Sequence, residues 1–502
     1  TLADNFNSLS ASFLSLLDNV NTLNTKLEAL QTELTKRVDT LESQSHGATG
    51  VSVGDLTLSG RVDSWVMAEL RAYTKHIGTL NVSWSDLVTL DDFGSLTSIA
   101  GDLSIGYNGN LTNVHGFGSL TSIGGALSIN KNDKLTNVDG FGSLTSIGGA
   151  LSINTNDKLT NVDGFGNLTS VGGDLSIQNN NIANVDGFGS LTSIGGALSI
   201  NTNDKLTNVD GFGNLTSVGG DLNIQNKNIA NVDGFGSLTS VGACLSVQTN
   251  EHLTNVDGFG NLTRVGDRLS ILNNDNLTNV DGFGNLINVG GDLRISGNLT
   301  NVDGFGSVTS ISGALSVDRN NKLTNVDGFR NLTSVNGLSV SRNGELVHVD
   351  GFGILTSVGG NLGCYDNDKL TNLDGFVNLT SVNGYLSIQD NLKLTNVDGF
   401  GNLTSVSGNL NIQDNENLLN VYGFHNLISI SGNLNIQNNS QLINVDGLGN
   451  LTSIGGYVRI VNNKKLSENN CLPTLKCVAS LSSLDGCSSA SYLRLLALPK
   501  CV

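Results

Sequence analysis

The sequence predicts a mainly β fold, a β-solenoid of about 16 rungs, preceded by an N-terminal α-helical coiled coil. One segment recurs almost unchanged, as LTNVDGFGNLTSVGGDL at 159–175 and again at 206–222. A seven-residue spacing of apolar side chains fills the first 45 residues. The chain has 63 glycines, 2 prolines and 5% aromatic residues, which is unlike the composition of an ordinary enzyme.

The repeat is followed through the phenylalanine of its GF dipeptide, which returns every 22 to 24 residues. Its positions are Phe93, Phe117, Phe141, Phe165, Phe188, Phe212, Phe235, Phe259, Phe283, Phe305, Phe329, Phe352, Phe376, Phe400 and Phe424, with Leu448 in the sixteenth place. A fixed period of this length is typical of solenoids, in which each unit packs only on its neighbours.

The apolar residues inside one unit predict its local structure. They lie three apart and then two apart: Leu159, Val162, Phe165, Leu168, Val171, Leu175 and Ile177. The step of two predicts a short strand. Steps of three with Gly or Asn between them predict a coil that turns corners, because an α-helix needs mixed steps of three and four. Burying one large side chain stabilises by roughly 1.5–3 kcal/mol, so a stack of rungs is stable where a single rung is not.

Asparagine stands three residues after the strand isoleucine in nearly every unit, as in Asn132, Asn156, Asn180 and Asn203. By this count Lys227 alone interrupts the column, and Asn298 belongs to it. A buried amide can pair the backbone groups that a tight bend leaves free, and stacked amides can bond along the axis. We therefore expect a structural asparagine ladder.

The pattern L-x-x-V-G-G-x-L-x-I-x-x-N, seen at 168–180, resembles the leucine-rich repeat in the variant found in receptor L domains and fungal cell-surface proteins. The resemblance covers roughly residues 77–463 and implies a leucine-rich-repeat-like, receptor L-domain-type solenoid. Members of that family serve as ligand-binding receptors and as wall proteins. Receptor L domains are shorter, less uniform and richer in disulfides than this array, which favours a structural role.

The N-terminal segment carries two interleaved apolar series, each with a period of seven. Eleven of the twelve positions are apolar, Arg37 being the exception: Leu2, Phe6, Leu9, Phe13, Leu16, Val20, Leu23, Leu27, Leu30, Leu34 and Leu41. This seam predicts a coiled coil that joins copies of the chain; the alternative is a single helix folded onto the solenoid. The RVDTLE segment at 37–42 resembles a three-stranded pattern and favours a trimer.

Four segments follow from these patterns. Residues 1–45 are the predicted coiled-coil oligomerisation stalk, and 46–86 are a linker and N-terminal cap with a helix over 63–73. The sixteen-rung solenoid occupies 87–463, and 464–502 form a C-terminal cap. Caps are needed because a bare terminal rung exposes both core and strand edge.

Cysteine usage points to an oxidising compartment. Four cysteines cluster in the C-terminal cap, where two disulfides are expected: Cys471, Cys477, Cys487 and Cys501. A zinc site is the alternative, but the spacings lack a C-x-x-C pair. Cys364 takes the place of an inward isoleucine and is expected to be a buried free thiol.

Sequons for N-glycosylation recur with the repeat, mostly as N-L-T after GFG. The candidate acceptors are Asn81, Asn167, Asn214, Asn261, Asn331, Asn378, Asn402 and Asn450. Because a repeat copies any triplet that it contains, the number of sequons is weak evidence for glycosylation. They favour an extracellular or cell-surface glycoprotein.

No pattern for catalysis is present, so we expect no enzyme activity, no catalytic residue and no cofactor. An aspartate precedes the glycine of nearly every unit, as in Asp139, Asp163 and Asp186. Asp-Gly turn formation explains the column, and calcium bridging is the alternative. A formal charge of −18 disfavours a nucleic-acid partner. The sequence contains no apolar run of 18 residues, so no membrane span is expected.

These features predict an extracellular structural or adhesive protein, a building block of a surface fibre or filament such as a flagellar hair, cell wall or virion fibre. It would self-associate through the coiled coil and flat solenoid faces, and could also meet other extracellular proteins or carbohydrate. The alternative is a receptor-like ectodomain that binds a soluble or carbohydrate ligand at irregular rungs, such as Cys364–Tyr365, Val421–Tyr422 or Arg264 with Arg268. Regular threonine columns leave an ice-binding solenoid as a remote alternative.

Overall fold

A computed structural model describes Lys26, residues 50–466 and residues 478–484. The coiled coil predicted for residues 1–45 lies outside the described residues, apart from Lys26. The four cysteines predicted to form disulfides in the C-terminal cap also lie outside them.

The described chain is a mainly β, leucine-rich-repeat-like solenoid in which every unit of sequence makes one rung. Each strand pairs in parallel with the same segment of the next unit, so that Leu151 lies opposite Leu175 and Ile153 opposite Ile177. Because the register does not slip, a position in the repeat becomes a column of side chains along the axis.

One series of strands, here called the long strands, carries the L-x-I segment. Its members are Leu56–Gly60, Leu80–Ser85, Leu103–Gly106, Leu127–Asn130, Leu151–Asn154, Leu175–Gln178, Leu198–Asn201, Leu222–Gln225, Leu245–Gln248, Leu269–Asn274, Leu293–Gly297, Leu362–Tyr365, Leu386–Gln389, Leu410–Gln413 and Leu434–Gln437.

A second series of shorter strands precedes them in each unit. Its members are Val51–Val53, Lys75–Ile77, Ser98–Ile99, Ser122–Ile123, Ser146–Ile147, Ser170–Val171, Ser193–Ile194, Ser217–Val218, Ser240–Val241, Arg264–Val265, Asn288–Val289, Ser357–Val358, Ser381–Val382, Ser405–Val406 and Ser429–Ile430. In three units the two strands merge, at Ser310–Asp318, Ser334–Ser341 and Ser453–Val461, and Val478–Leu484 pairs with the last of these.

A 3-10 turn over the D-G-F segment closes each rung. These turns are Asp91–Phe93, His115–Phe117, Asp139–Phe141, Asp163–Phe165, Asp186–Phe188, Asp210–Phe212, Asp233–Phe235, Asp257–Phe259, Asp281–Phe283, Asp303–Phe305, Asp327–Phe329, Asp350–Phe352, Asp374–Phe376, Asp398–Phe400, Tyr422–Phe424 and Asp446–Leu448. The N-terminal cap contains an α-helix at Ser64–Leu70, which is shorter than the helix predicted over 63–73.

The core consists of the apolar columns. The seven positions spaced three and two apart all point inward, and in the unit at 159–177 none is more than 1% exposed. Phenylalanine rings stack from Phe93 to Phe424, with neighbouring ring centroids 5.0–5.9 Å apart and planes within 17°. Such stacking adds to the area that each ring buries, so the phenylalanine column binds each rung to the next.

Glycine in the D-G-F turn is required by close packing of successive turns. A Cβ atom on Gly164 would lie 1.8 Å from the carbonyl oxygen of Val138 in the preceding rung. The glycine two positions later has more room, 3.5 Å at Gly166, and other units carry Arg330 or Val377 there. Substitution therefore follows the space available in each column.

The asparagine column is a continuous hydrogen-bonded ladder over much of the chain. Asn156 Oδ1 accepts the backbone N–H of Asn132 at 3.1 Å and its side-chain N–H at 3.2 Å. Asn156 Nδ2 donates to the carbonyl oxygen of Ile129 at 2.8 Å, and its backbone N–H donates to Asn180 Oδ1 at 3.0 Å. Each amide thus pairs groups in both neighbouring rungs.

Two details of the predicted column are wrong. In the shortened unit at 224–229 the ladder position is filled by Asn226, whose Oδ1 accepts the N–H of Asn203 at 2.9 Å, so Lys227 makes no gap. Asn298 is outside the ladder, half-buried, and donates to the carbonyl oxygen of Asp275. Its unit lacks a ladder asparagine, and the fully buried Oδ1 of Asn320 has no hydrogen-bond partner.

Replacing Asn156 with Ala should lower the free energy of unfolding by about 1–3 kcal/mol, because it leaves buried N–H and C=O groups of the preceding rung unpaired. Asn298→Ala is the matched control and should cost less, since that amide is more exposed and pairs with one carbonyl. Urea unfolding followed by circular dichroism measures both. Equal losses for the two variants would contradict a structural role for the ladder.

Candidate functional site

The outward side chains of the long strands form a polar surface, which we call the strand face. Its residues are mostly Ser, Asn and Gln, and they bond to one another along the axis. Asn130 Oδ1 accepts the backbone N–H of Asn154 at 2.9 Å and the hydroxyl of Ser152 at 3.2 Å. Asn154 Nδ2 donates to Ser152 Oγ at 2.7 Å. In such rungs the strand face is a neutral lattice whose polar groups are largely used internally.

Seven of the eight sequon asparagines occupy one exposed column next to the 3-10 turns. Asn167 Nδ2 donates to the carbonyl oxygen of Gly142 at 2.7 Å. Ser143 makes the equivalent bond to Gly118 at 2.7 Å, which explains why Ser and Asn interchange at this position. Asn81 differs, because it lies half-buried on the strand face. Glycosylation of these residues stays a prediction.

The aspartate column lies in the 3-10 turns, as Asp-Gly turn formation predicts, but another side chain supports each turn. The backbone N–H of Asp163 donates to Asn161 Oδ1 at 3.2 Å, so the side chain that supports the turn is Asn161. The N-cap residue of this turn, Val162, makes no side-chain cap hydrogen bond. Partial burial raises the pKa of Asp163, and the carboxylates of Asp139 and Asp186 in the adjacent rungs raise it further. The column is therefore a line of mutual repulsion at neutral pH.

The same residue types do not converge on a metal site. Within residues 50–466 and 478–484, no three His, Cys, Asp or Glu side chains are placed to share a metal ion. Calcium bridging by the column stays an alternative that the pH and calcium experiment below addresses.

The threonine column is also tied to the backbone. Thr145 donates both its N–H and its hydroxyl to the carbonyl oxygen of Thr121, at 2.9 and 3.0 Å. The hydroxyl proton is consequently used within the solenoid, although the side chain is exposed.

The strand face changes character at the unit of Cys364 and Tyr365. Cys364 points inward, is buried and carries no disulfide, and burial raises the pKa of its thiol to about 12. Tyr365 points outward and its ring lies over Gly363, where a Cβ atom would be 2.9 Å from the ring. Ser339 Oγ donates to the Tyr365 hydroxyl oxygen at 3.2 Å. Glycine at 363 thus makes room for the tyrosine.

Tyr365 borders an open cleft of about 350 Å³, which we call the tyrosine cleft. On one side, the Arg342 guanidinium lies 5.8 Å from the centre of the Tyr365 ring and pairs with Asp318 at 3.4 Å and Asp366 at 3.5 Å. Residues that line the cleft include Tyr365, Tyr385, Gln389, Asp390, Asn409 and Asn411. Burial raises the pKa of Asp390, as do the carboxylates of Asp414 and Asp366.

Other irregular positions lie elsewhere on the repeat. Tyr422 replaces the aspartate of its turn and is 48% exposed, and the Arg264 and Arg268 side chains are exposed. The sequence pattern did not single out an aromatic pair near the N-terminal end, Trp84 and Tyr107, whose rings stack with centroids 4.3 Å apart. Both residues directly precede the ladder position, so aligning the units on the ladder would have revealed them.

No family model matches the sequence, and no curated protein matches it. Among solved structures, the chain is similar to a chain of a TLR13–ssRNA13 complex at 15% sequence identity. The match covers 85% of this chain and 77% of that chain, with a TM-score of 0.26. Among the described residues, no helix is long and apolar enough to cross a membrane.

The raised pKa values in the aspartate column predict that the solenoid becomes more stable on mild acidification. Four members share this shift: Asp163, Asp233, Asp327 and Asp374. A carboxyl whose pKa is higher in the folded state binds protons more tightly there, so unfolding is disfavoured as pH falls through that pKa. The melting temperature should therefore rise from pH 7 toward pH 4, and Asp163→Asn should weaken the rise while leaving stability at pH 7 unchanged or higher.

Asp292 is the matched control, because the N–H of Ala314 at 2.9 Å and then Arg294 lower its pKa. Asp292→Asn should destabilise the protein at pH 7, the opposite sign. If millimolar calcium raises the melting temperature and Asp163→Asn abolishes that rise, the aspartate column is a metal site and the repulsion account is wrong.

Proposed function

We propose that this chain is the rigid body of an extracellular structural or adhesive protein at a cell surface. Copies joined through the heptad segment at residues 1–45, as a trimer or filament, would build a surface fibre of the flagellar-hair, cell-wall or virion type. The observation that supports this proposal is the repetition of the same axial contacts in rung after rung. At roughly 4.8 Å per rung, sixteen rungs give a rod about 75 Å long.

Rigidity follows from the columns. Phenylalanine stacking, in-register strand pairing and the asparagine ladder each link neighbouring rungs, so bending the rod would strain all three together. The strand face carries neutral polar side chains over many rungs, which suits lateral contact with another copy or with carbohydrate. The sequons and the C-terminal cysteines support an extracellular setting.

The alternative function is a receptor-like ectodomain that holds a soluble or carbohydrate ligand. The tyrosine cleft favours it, since it breaks the uniform lattice with two aromatic side chains and a concave surface. An ice-binding role gains less support, because the threonine hydroxyls donate to the backbone.

The experiment for self-association uses the heptad seam. Full-length protein at micromolar concentration should be oligomeric by light scattering, and a chain lacking residues 1–45 should be monomeric. Leu23→Asp with Leu27→Asp should also give monomers, because charge at a seam position is costly to bury. The control, Asn21→Asp with Thr25→Asp, changes the same charge off the seam and should stay oligomeric. A monomeric full-length protein would refute the proposal.

A further inference from the structure

Two outward positions change together at the tyrosine cleft. The strand partners of Gly363 are Ser339 and Ser387, and the partners of Tyr365 are Ser341 and Gln389. Among the long strands that the structure describes, this is the only unit in which a large aromatic ring lies over an outward glycine. We propose that the tyrosine cleft is a binding site for a neutral saccharide. This inference rests on the proposed function and makes its carbohydrate contact specific, although a saccharide site would also serve the receptor-like alternative.

The cleft offers polar groups that the protein does not use itself. The Tyr385 hydroxyl and the Asp390 carboxylate have no hydrogen-bond or ion-pair partner among the described residues, and Asn411 Nδ2 donates to none of them. By contrast, in a regular rung Asn130 Oδ1 accepts the backbone N–H of Asn154 in the next rung, and Asn154 Nδ2 donates to Ser152 in its own rung. Unused donors and acceptors beside an aromatic ring are the features with which a site fixes a small polar ligand.

The chemistry of these groups selects the ligand class. A pyranose ring has an apolar C–H face, which can pack on the Tyr385 ring, and hydroxyls that both donate and accept hydrogen bonds. Three neutral amides, Gln389, Asn409 and Asn411, stand beside the one unpaired carboxylate of Asp390. That balance fits hydroxyl groups better than a cationic ligand.

Charge excludes acidic sugars. Asp366, Asp390 and Asp414 occupy successive rungs at this edge and repel one another, as the raised pKa of Asp390 reflects. The nearby cation, Arg342, is already paired with Asp318 and Asp366. This negative edge would repel the carboxylate of a uronic acid. The cleft is open to solvent, so a longer neutral chain can extend from it along the strand face.

The test is titration calorimetry of the full chain with cellohexaose, chitohexaose and mannohexaose, and with oligogalacturonate and spermine as the anionic and cationic probes. At least one neutral hexasaccharide should bind, and Tyr385→Ala should weaken it tenfold or more. Tyr457→Ala is the matched control: Tyr457 holds the same rung position and is 37% exposed, against 42% for Tyr385. In the rung before Tyr457, Gln437 occupies the position that Tyr365 occupies in the rung before Tyr385. Tyr457→Ala should therefore leave saccharide binding unchanged.

Gly363→Ser supplies a second variant, since its Cβ displaces the Tyr365 ring while restoring the residue of the neighbouring rungs. It should weaken binding and leave the circular dichroism spectrum unaltered. If no neutral hexasaccharide binds, if spermine binds in their place, or if Tyr385→Ala and Tyr457→Ala behave alike, the saccharide site is overturned. Light scattering on the same samples reports self-association separately, so failure of this site is distinguishable from failure of the proposed oligomer.

Discussion

The structure depends on one hydrogen bond repeated along the axis, from the backbone N–H of a ladder asparagine to the Oδ1 atom of the next. It recurs at 2.8–3.2 Å from Asn108 to Asn274 and again from Asn320 to Asn463. The long strand ends just before this point, and the backbone groups that the ladder pairs are buried. Without the amide they would lack partners, which a buried backbone group rarely tolerates.

The ladder also permits an unfavourable backbone conformation. The residue before most ladder asparagines has φ between 53 and 59°, although it is not glycine; Thr155 and Asp390 are examples. A left-handed residue costs roughly 1–2 kcal/mol when it carries a Cβ. The bonds made by the next residue offset that cost in those rungs. Side chains at this exposed position are then free to vary, and both Trp84 and the aspartates beside the tyrosine cleft occupy it.

Much of the fold follows from the sequence because its period is so regular. The apolar spacing in the unit at 159–177 identifies every inward side chain, and a solenoid is the arrangement that lets a single unit of this size bury them. What the pattern could not give is the register of irregular units. The units at 177–182 and 224–229 have equal length, yet Asn180 and Asn226 reach the ladder from different positions. The residue that enters the ladder is therefore the one whose amide can make these bonds, and its distance in sequence from the strand isoleucine can vary.

The candidate site was less predictable for a related reason. Tyr365 stood out as irregular, but the cleft joins it to Tyr385 from the following rung, and contacts between units are invisible when each unit is analysed alone. Asp163 lies in a turn as its Asp-Gly pair predicts, but because both Asp and Asn suit turns, only the geometry shows that Asn161 is the side chain that accepts the turn N–H. The repeat pattern therefore predicts which side chains point outward, but not which of them meet between successive rungs.

Hydrogen exchange of asparagine side-chain amides, resolved by NMR, tests the ladder most directly. Asn156 Nδ2 is buried and donates to Ile129, whereas Asn167 Nδ2 donates to Gly142 from an exposed position. The ladder account predicts that the Asn156 side-chain protons exchange as slowly as the backbone N–H groups of the core strands, and that those of Asn167 exchange far faster. Equal, fast exchange at both residues would contradict the account, because it would show that the ladder opens without the rungs unfolding.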